Sequence, residues 1–210
     1  MKYANLIAKM LKSGKKDTFF GNFSKSEMAR FRILALGACV EAGVPVNPDG
    51  VFEVQYDGTT INAGTPAGYL DELHHPSNII HDLAHWAVCT SQERRNKPDF
   101  GLGRGPDSTE EAACLTLHAQ IEEERASFLG ILIEWELGMP AGDTLRLHGW
   151  VEPWNYLHSK GKPIQAPDGE WAVENVRGIT TAINWLVKNK LVSRSGKVNW
   201  AKVSKGCADR

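Results

Sequence analysis

The sequence predicts an α+β domain, mostly helical with a small sheet, and three observations predict it. Long stretches repeat apolar residues at helical spacing, one short stretch alternates them with polar residues, and Pro- and Gly-rich segments separate the two kinds. At 210 residues with 42% hydrophobic content, the chain has room for one substantial core. Ser24 and Glu27 form a capping-box pattern before "MARFRILALGACVEAGVPV", which predicts a helix ending near Gly43, ahead of Pro45. In "VFEVQYDGTTINAG", Phe52, Val54 and Tyr56 alternate with polar residues, and Asp57-Gly58 is a two-residue turn signal, so a β-hairpin is expected over 51–63. It is the one clear strand signal in the chain.

Pro76 and Ser77 mark the cap of a next helix, which runs through Cys89. "NKPDFGLGRGPDST" is a loop by its glycine and proline content. A long helix is expected from about Glu110 to Leu137, closed by Gly138 and Pro140, and a final helix from about Trp171 to Asn189. Residues 141–169 carry little periodicity and are read as irregular. The expected organisation is one metal-binding domain over 1–190 and a basic C-terminal tail over 191–210.

Composition narrows the partners. A formal charge of -1, from 24 Lys plus Arg against 25 Asp plus Glu, supplies no overall drive toward nucleic acid or an anionic membrane. No apolar run reaches the roughly 20 residues needed to cross a bilayer, and the lysine-dotted N-terminus lacks the apolar core of a secretory signal, so a cytoplasmic protein is expected. Cys39, Cys89, Cys114 and Cys207 lie far apart with no C-x-x-C pair, which argues against a zinc knuckle or a disulfide framework. From Trp185 to the C-terminus there are seven Lys or Arg against the single acid Asp209, with Trp185 and Trp200 interleaved; local nucleic-acid contact by charge and stacking is one reading, a solvated tail the other.

The chemistry centres on "NIIHDLAHWAVC", residues 78–89, which sets His81 and His85 four apart in an apolar stretch. Side chains at that spacing share one face of a helix, so two imidazoles can bind one metal ion without bending the backbone. Ile79, Ile80, Leu83, Ala84, Trp86 and Val88 make the helix apolar nearly all round, which predicts burial of the histidines. A metal ion and a hydrogen-bond acceptor together satisfy both nitrogens of a buried imidazole; a satisfied pair of core histidines is the plainer alternative. A third ligand is offered by Glu122, Glu123 and Glu124. Helical phase puts Glu124 at the centre of a stripe of Leu117, Ile121, Phe128, Ile131, Leu132 and Trp135, and Glu123 with Ala112, Thr116, Ala119 and Ala126. Glu122, with Glu111 and His118, falls on the side expected to face solvent. The metal ligands are therefore expected to be His81, His85 and either Glu124 or Glu123.

In order, "IIHDLAHW", Arg94-Arg95, "DFGLGRGPDS" from Asp99 and an acid-rich helix resemble the elongation factor P hydroxylase family, over about residues 78–128. The resemblance implies a metal-dependent hydroxylase acting on a protein or modified-lysine substrate, with one divalent ion, Fe(II) ahead of Zn(II). It implies substrate-side roles for Arg94, Arg95, Asp99 and Phe100, which match that family's loop. Glu123, with Ala126 and Ser127 after it, is also similar to the third-ligand helix of compact gluzincin-type metalloproteins, which implies zincin-like metal-binding helices. The departure is Asp82, where the family has glutamate. In zinc hydrolases of H-E-x-x-H type the glutamate takes a proton from metal-bound water; an aspartate stops about 1.5 Å short, and a displacement near 1 Å already costs about 100-fold. An iron oxygenase needs only two histidines and a carboxylate, leaving Asp82 as a catalytic candidate that orients a ligand or substrate. A zinc metallohydrolase and an inactive binding protein on the same scaffold are the alternatives.

Overall fold

A computed structural model describes residues 23–48, 54–56, 60–63, 75–90, 117–139 and 181–206. In chain order these form α1 (Lys25–Glu41), β1 (Val46–Asn47), β2 (Val54–Tyr56), β3 (Ile61–Ala63), α2 (Pro76–Val88), α3 (Leu117–Leu137), helical residues 181–188 as α4, and α5 (Trp200–Val203). The mostly helical α+β architecture expected from the sequence is present.

Helix α1 begins as its capping box requires: Ser24 Oγ accepts from the Glu27 N–H, and the Glu27 carboxylate accepts from the Ser24 N–H at 2.9 Å. It ends with Gly43 at φ 67, where the Gly43 N–H donates to Val40 O and the Val44 N–H to Cys39 O. Only a residue without Cβ reaches this left-handed turn cheaply, and the turn carries Val44 into the core. Helix α3 closes the same way at Gly138 (φ 70), burying Met139.

The sheet has the order β1-β3-β2, with β3 antiparallel to β2 and parallel to β1. Tyr56 pairs with Ile61, Gln55 with Asn62 and Val54 with Ala63, which gives the expected antiparallel pairing; the turn expected at Asp57-Gly58 lies outside the described residues. Strand β1 was not foreseen. Its register pairs Val46 with Ile61 and Asn47 with Asn62, after which come Pro48 and Ala63. Arg32 of α1, buried, reaches this point: Nη1 donates to Ala63 O and Nη2 to Pro48 O at 2.6 Å. One planar guanidinium thus bridges the C-terminal ends of two parallel strands, which a lysine's single point charge does not do.

Helix α2 is the hub. It packs most extensively on α3 and also touches α1, β2, β3 and α5. Its Ile79, Ile80, Leu83, Ala84 and Ala87 are fully buried. The cap falls on His75, with Pro76 at the first helical position, and not on Pro76 or Ser77 as expected.

The stretch expected as a basic tail is, through Gly206, part of the packed fold. Leu191, Val192, Val198 and Val203 lie in the core, and Val192 bridges Val198 across a turn whose Gly196 has φ 86. Glu136 of α3 holds this unit, accepting from the Val198 N–H at 2.8 Å and from Trp200 Nε1 at 3.0 Å. Arg125 of α3 stacks over Trp185 of α4, 4.2 Å from its ring centre. Both tryptophans considered for base stacking therefore contribute to intramolecular contacts. No helix among the described residues is long and apolar enough to cross a membrane.

Arg32→Met keeps the buried aliphatic stem but leaves two strand-end carbonyls without their donor. Loss of charge-assisted hydrogen bonds of this kind costs about 3 kcal/mol, and urea denaturation of the variant is expected to show an unfolding free energy lower by about that amount, with the midpoint lowered accordingly.

Candidate metal centre

The buried polar side chains among the described residues, Arg32 apart, all belong to α2, its cap or α3: His75, Ser77, His81, His85, Glu122, Ser127 and Glu134. Polar groups taken out of water cost several kcal/mol unless they are partnered inside the protein. Their concentration on one helix pair marks this region as chemically distinct from the rest of the core.

His81 and His85 stand on α2 as the spacing predicts, buried, with ring centres 4.5 Å apart and ring planes at 89°. At that separation the two imidazoles remain within reach of one ion, while the edge of one ring meets the face of the other, a favourable aromatic arrangement in its own right. The centre is not closed by the described side chains. Among the described residues no three His, Cys, Asp or Glu side chains converge as a metal-holding set. Glu123 and Glu124 belong to α3 by their backbone, and their side chains lie outside the described set. Arg94, Arg95, Asp99 and Phe100 also lie outside the described residues.

Glu122 departs from expectation. Read as solvent-facing, it is 6% exposed, and its Oε1 accepts from the Cys89 thiol at 3.0 Å. This pair fixes the C-terminal end of α2 against the N-terminal part of α3. The sequence held a signal for it: Glu122, Ala126, Leu129 and Ile133 recur at helical spacing, and the last three are fully buried. The stripe that singled out Glu124 is only part of a wider burial, because residues 126–134 of α3 are buried all round.

Asp82 is half-buried on α2, near α1. Burial pushes the Cys39 thiol of α1 up to about 12, and the negative charge of Asp82 adds to the rise. Cys39 is therefore an inert, protonated core residue at neutral pH.

His75, three residues before the stretch 78–89, caps α2: its Nδ1 accepts from the Ser77 N–H at 3.2 Å. Burial pushes its pKa from 6.5 down to about 4, and the capping bond itself requires the neutral ring. A positive charge here would also oppose the positive end of the helix dipole. Compared with family models, with curated proteins and with solved structures, the chain matches none.

The cap ties stability to pH. Above pH 6.5 His75 is neutral in the folded and unfolded chains alike; between 6.5 and 4 only the unfolded chain takes up the proton, so stability falls as pH drops through that window, by roughly 3 kcal/mol in total. His75→Asn retains a capping oxygen and removes this titration. Denaturant titrations at pH 7, 5.5 and 4.5 are expected to show a shallower loss for the variant; equal slopes would mean that the cap is not the titrating group.

Proposed function

We propose that this chain is a metal-dependent enzyme of hydroxylase or oxygenase type, with one divalent ion held by His81, His85 and a glutamate of α3, Glu123 or Glu124. The observation that carries the reading is the burial of an i, i+4 histidine pair on the hub helix, beside a second helix that contributes the buried carboxylate of Glu122. Bound Fe(II) would supply open coordination positions at which dioxygen and substrate meet.

The chain's own residues supply the setting. Ile79, Ile80, Leu83 and Leu129 exclude bulk water from around α2, and the Cys89–Glu122 hydrogen bond fixes the helix that presents the imidazoles. Iron is favoured over zinc because Asp82 is too short to reproduce the proton-abstracting glutamate of a hydrolase. The substrate side is assigned to Arg94, Arg95, Asp99 and Phe100, with a protein-borne or modified-lysine substrate, on the resemblance of that loop alone.

Elemental mass spectrometry of untagged full-length protein, purified anaerobically with iron and zinc both supplied, tests the assignment. Near-stoichiometric iron is expected in the wild type and its loss in His81→Ala and His85→Ala, with near-ultraviolet circular dichroism confirming that each variant is folded. Of Glu123→Gln and Glu124→Gln, the one that replaces a direct ligand is expected to weaken affinity by 10-fold or more, the scale already seen for outer-shell changes, about 10–100-fold. Stoichiometric zinc would move the reading to a metallohydrolase. Metal-free wild-type protein would leave a binding protein on this scaffold.

A further inference from the structure

Helix α1 has a second face that no other element among the described residues covers. Among the described residues the exposed large hydrophobic side chains are Ile33, 69% exposed, and Val40, 70% exposed. Both are on α1, two turns apart on one face. Between them on that face is Gly37, and a Cβ built there would meet nothing within 4 Å. A glycine inside a helix costs about 1 kcal/mol relative to alanine, and no contact among the described residues requires this one to be small. A glycine flanked by exposed aliphatic side chains is what close approach of another helix needs. Beside it lies a concavity of about 350 Å³, lined by Ile33, Leu34, Gly37, Glu41, Leu137 and Trp200 among others.

We propose that this face joins two copies of the chain, with their α1 helices packed antiparallel about a two-fold axis at Gly37. The charges select this occupant and this direction. Arg30 lies on the same face before Ile33, and Glu41 lies at its other end; both are exposed. In an antiparallel pair, Arg30 of each copy comes within about a turn of Glu41 of the other, whereas a parallel pair sets like charges against each other. With Gly37 opposite Gly37, position 40 of one copy falls opposite position 34 of the other, so each exposed Val40 meets the concavity beside Leu34. One surface thus carries the knob, the recess and both charges, as a self-complementary interface must. A single helix face covers less than the roughly 800 Å² per partner of a standard interface, so the dimer is weak and reversible. This inference is independent of the metal reading.

Sedimentation velocity of the full-length chain, from low to high micromolar concentration, is expected to show a reversible monomer–dimer equilibrium. Gly37→Lys has room in the monomer and improves helix propensity; it is expected to keep the thermal midpoint or raise it while weakening dimerisation more than tenfold. Arg30→Glu and Glu41→Arg are each expected to weaken self-association more than tenfold, and an equimolar mixture of the two variants is expected to recover it, because the mixed pair restores both opposite-charge contacts. A wild type that stays monomeric throughout would overturn the proposal, as would a dimer indifferent to Gly37→Lys, or a charge-variant mixture no tighter than its components.

Discussion

The structure depends on the enclosure of α2. With α1, β2, β3, α3 and α5 all packed on one helix of 13 residues, almost no side of it is left to water. Each side chain must then be apolar or find its partner inside the protein. Most of α2 meets this with aliphatic residues. The exceptions, His75, Ser77, His81 and His85, are uncharged or titratable residues; Asp82, the one acid of the helix, is half-buried. Even the cap obeys the constraint. An aspartate is a common N-cap on an exposed helix, but at a position 2% exposed its charge would have to be desolvated, whereas a neutral imidazole supplies the acceptor without one.

What was legible in the sequence follows from how local each cause is. The start of α1 is written in Ser24 and Glu27, and its end in Gly43, because the bonds concerned span three to five residues. Burial of the histidines was legible because the apolar residues around them leave no polar face. Strand β1 was not, since its two residues owe their state to pairing with β3 and to Arg32, whose acceptors lie 16 and 31 positions away. The role of Glu136, which binds groups 62 and 64 residues later, is hidden for the same reason. On α3, phase arguments assume that a helix has a wet side. Residues 126–134 have none, and phase misplaced Glu122, which is buried against Cys89.

Helix ends do more here than stop helices. At Gly43, Gly138 and Lys190 the chain turns through positive φ, and in each case the next residue, Val44, Met139 or Leu191, donates back to the end of the helix and enters the core. Lys190 accepts the left-handed strain that glycine avoids, so its turn carries no glycine signal. The exposed lysine offsets part of that strain by its position at the negative end of α4. The residues beyond it then fold back onto α3 through Glu136, which explains how a stretch rich in Lys and Arg also supplies Val192, Val198 and Val203 to the core: its charges point outward while alternate aliphatic residues point in.

The same separation of faces bears on the aspartate that distinguishes "HDLAH" from a hydrolase motif. His85 stands one turn before Cys89, the residue that ties α2 to Glu122 of α3. Asp82 is close enough to α1 for its charge to act on the buried Cys39 thiol. A proton-abstracting carboxylate must reach the atom it serves to within a hydrogen bond. The carboxylate of Asp82 is one methylene shorter than that of a glutamate, which sets it back from an atom that a glutamate at this position would reach. Aspartate in place of glutamate thus leaves α2 with two buried imidazoles and an acid one methylene shorter than the one a hydrolase motif carries.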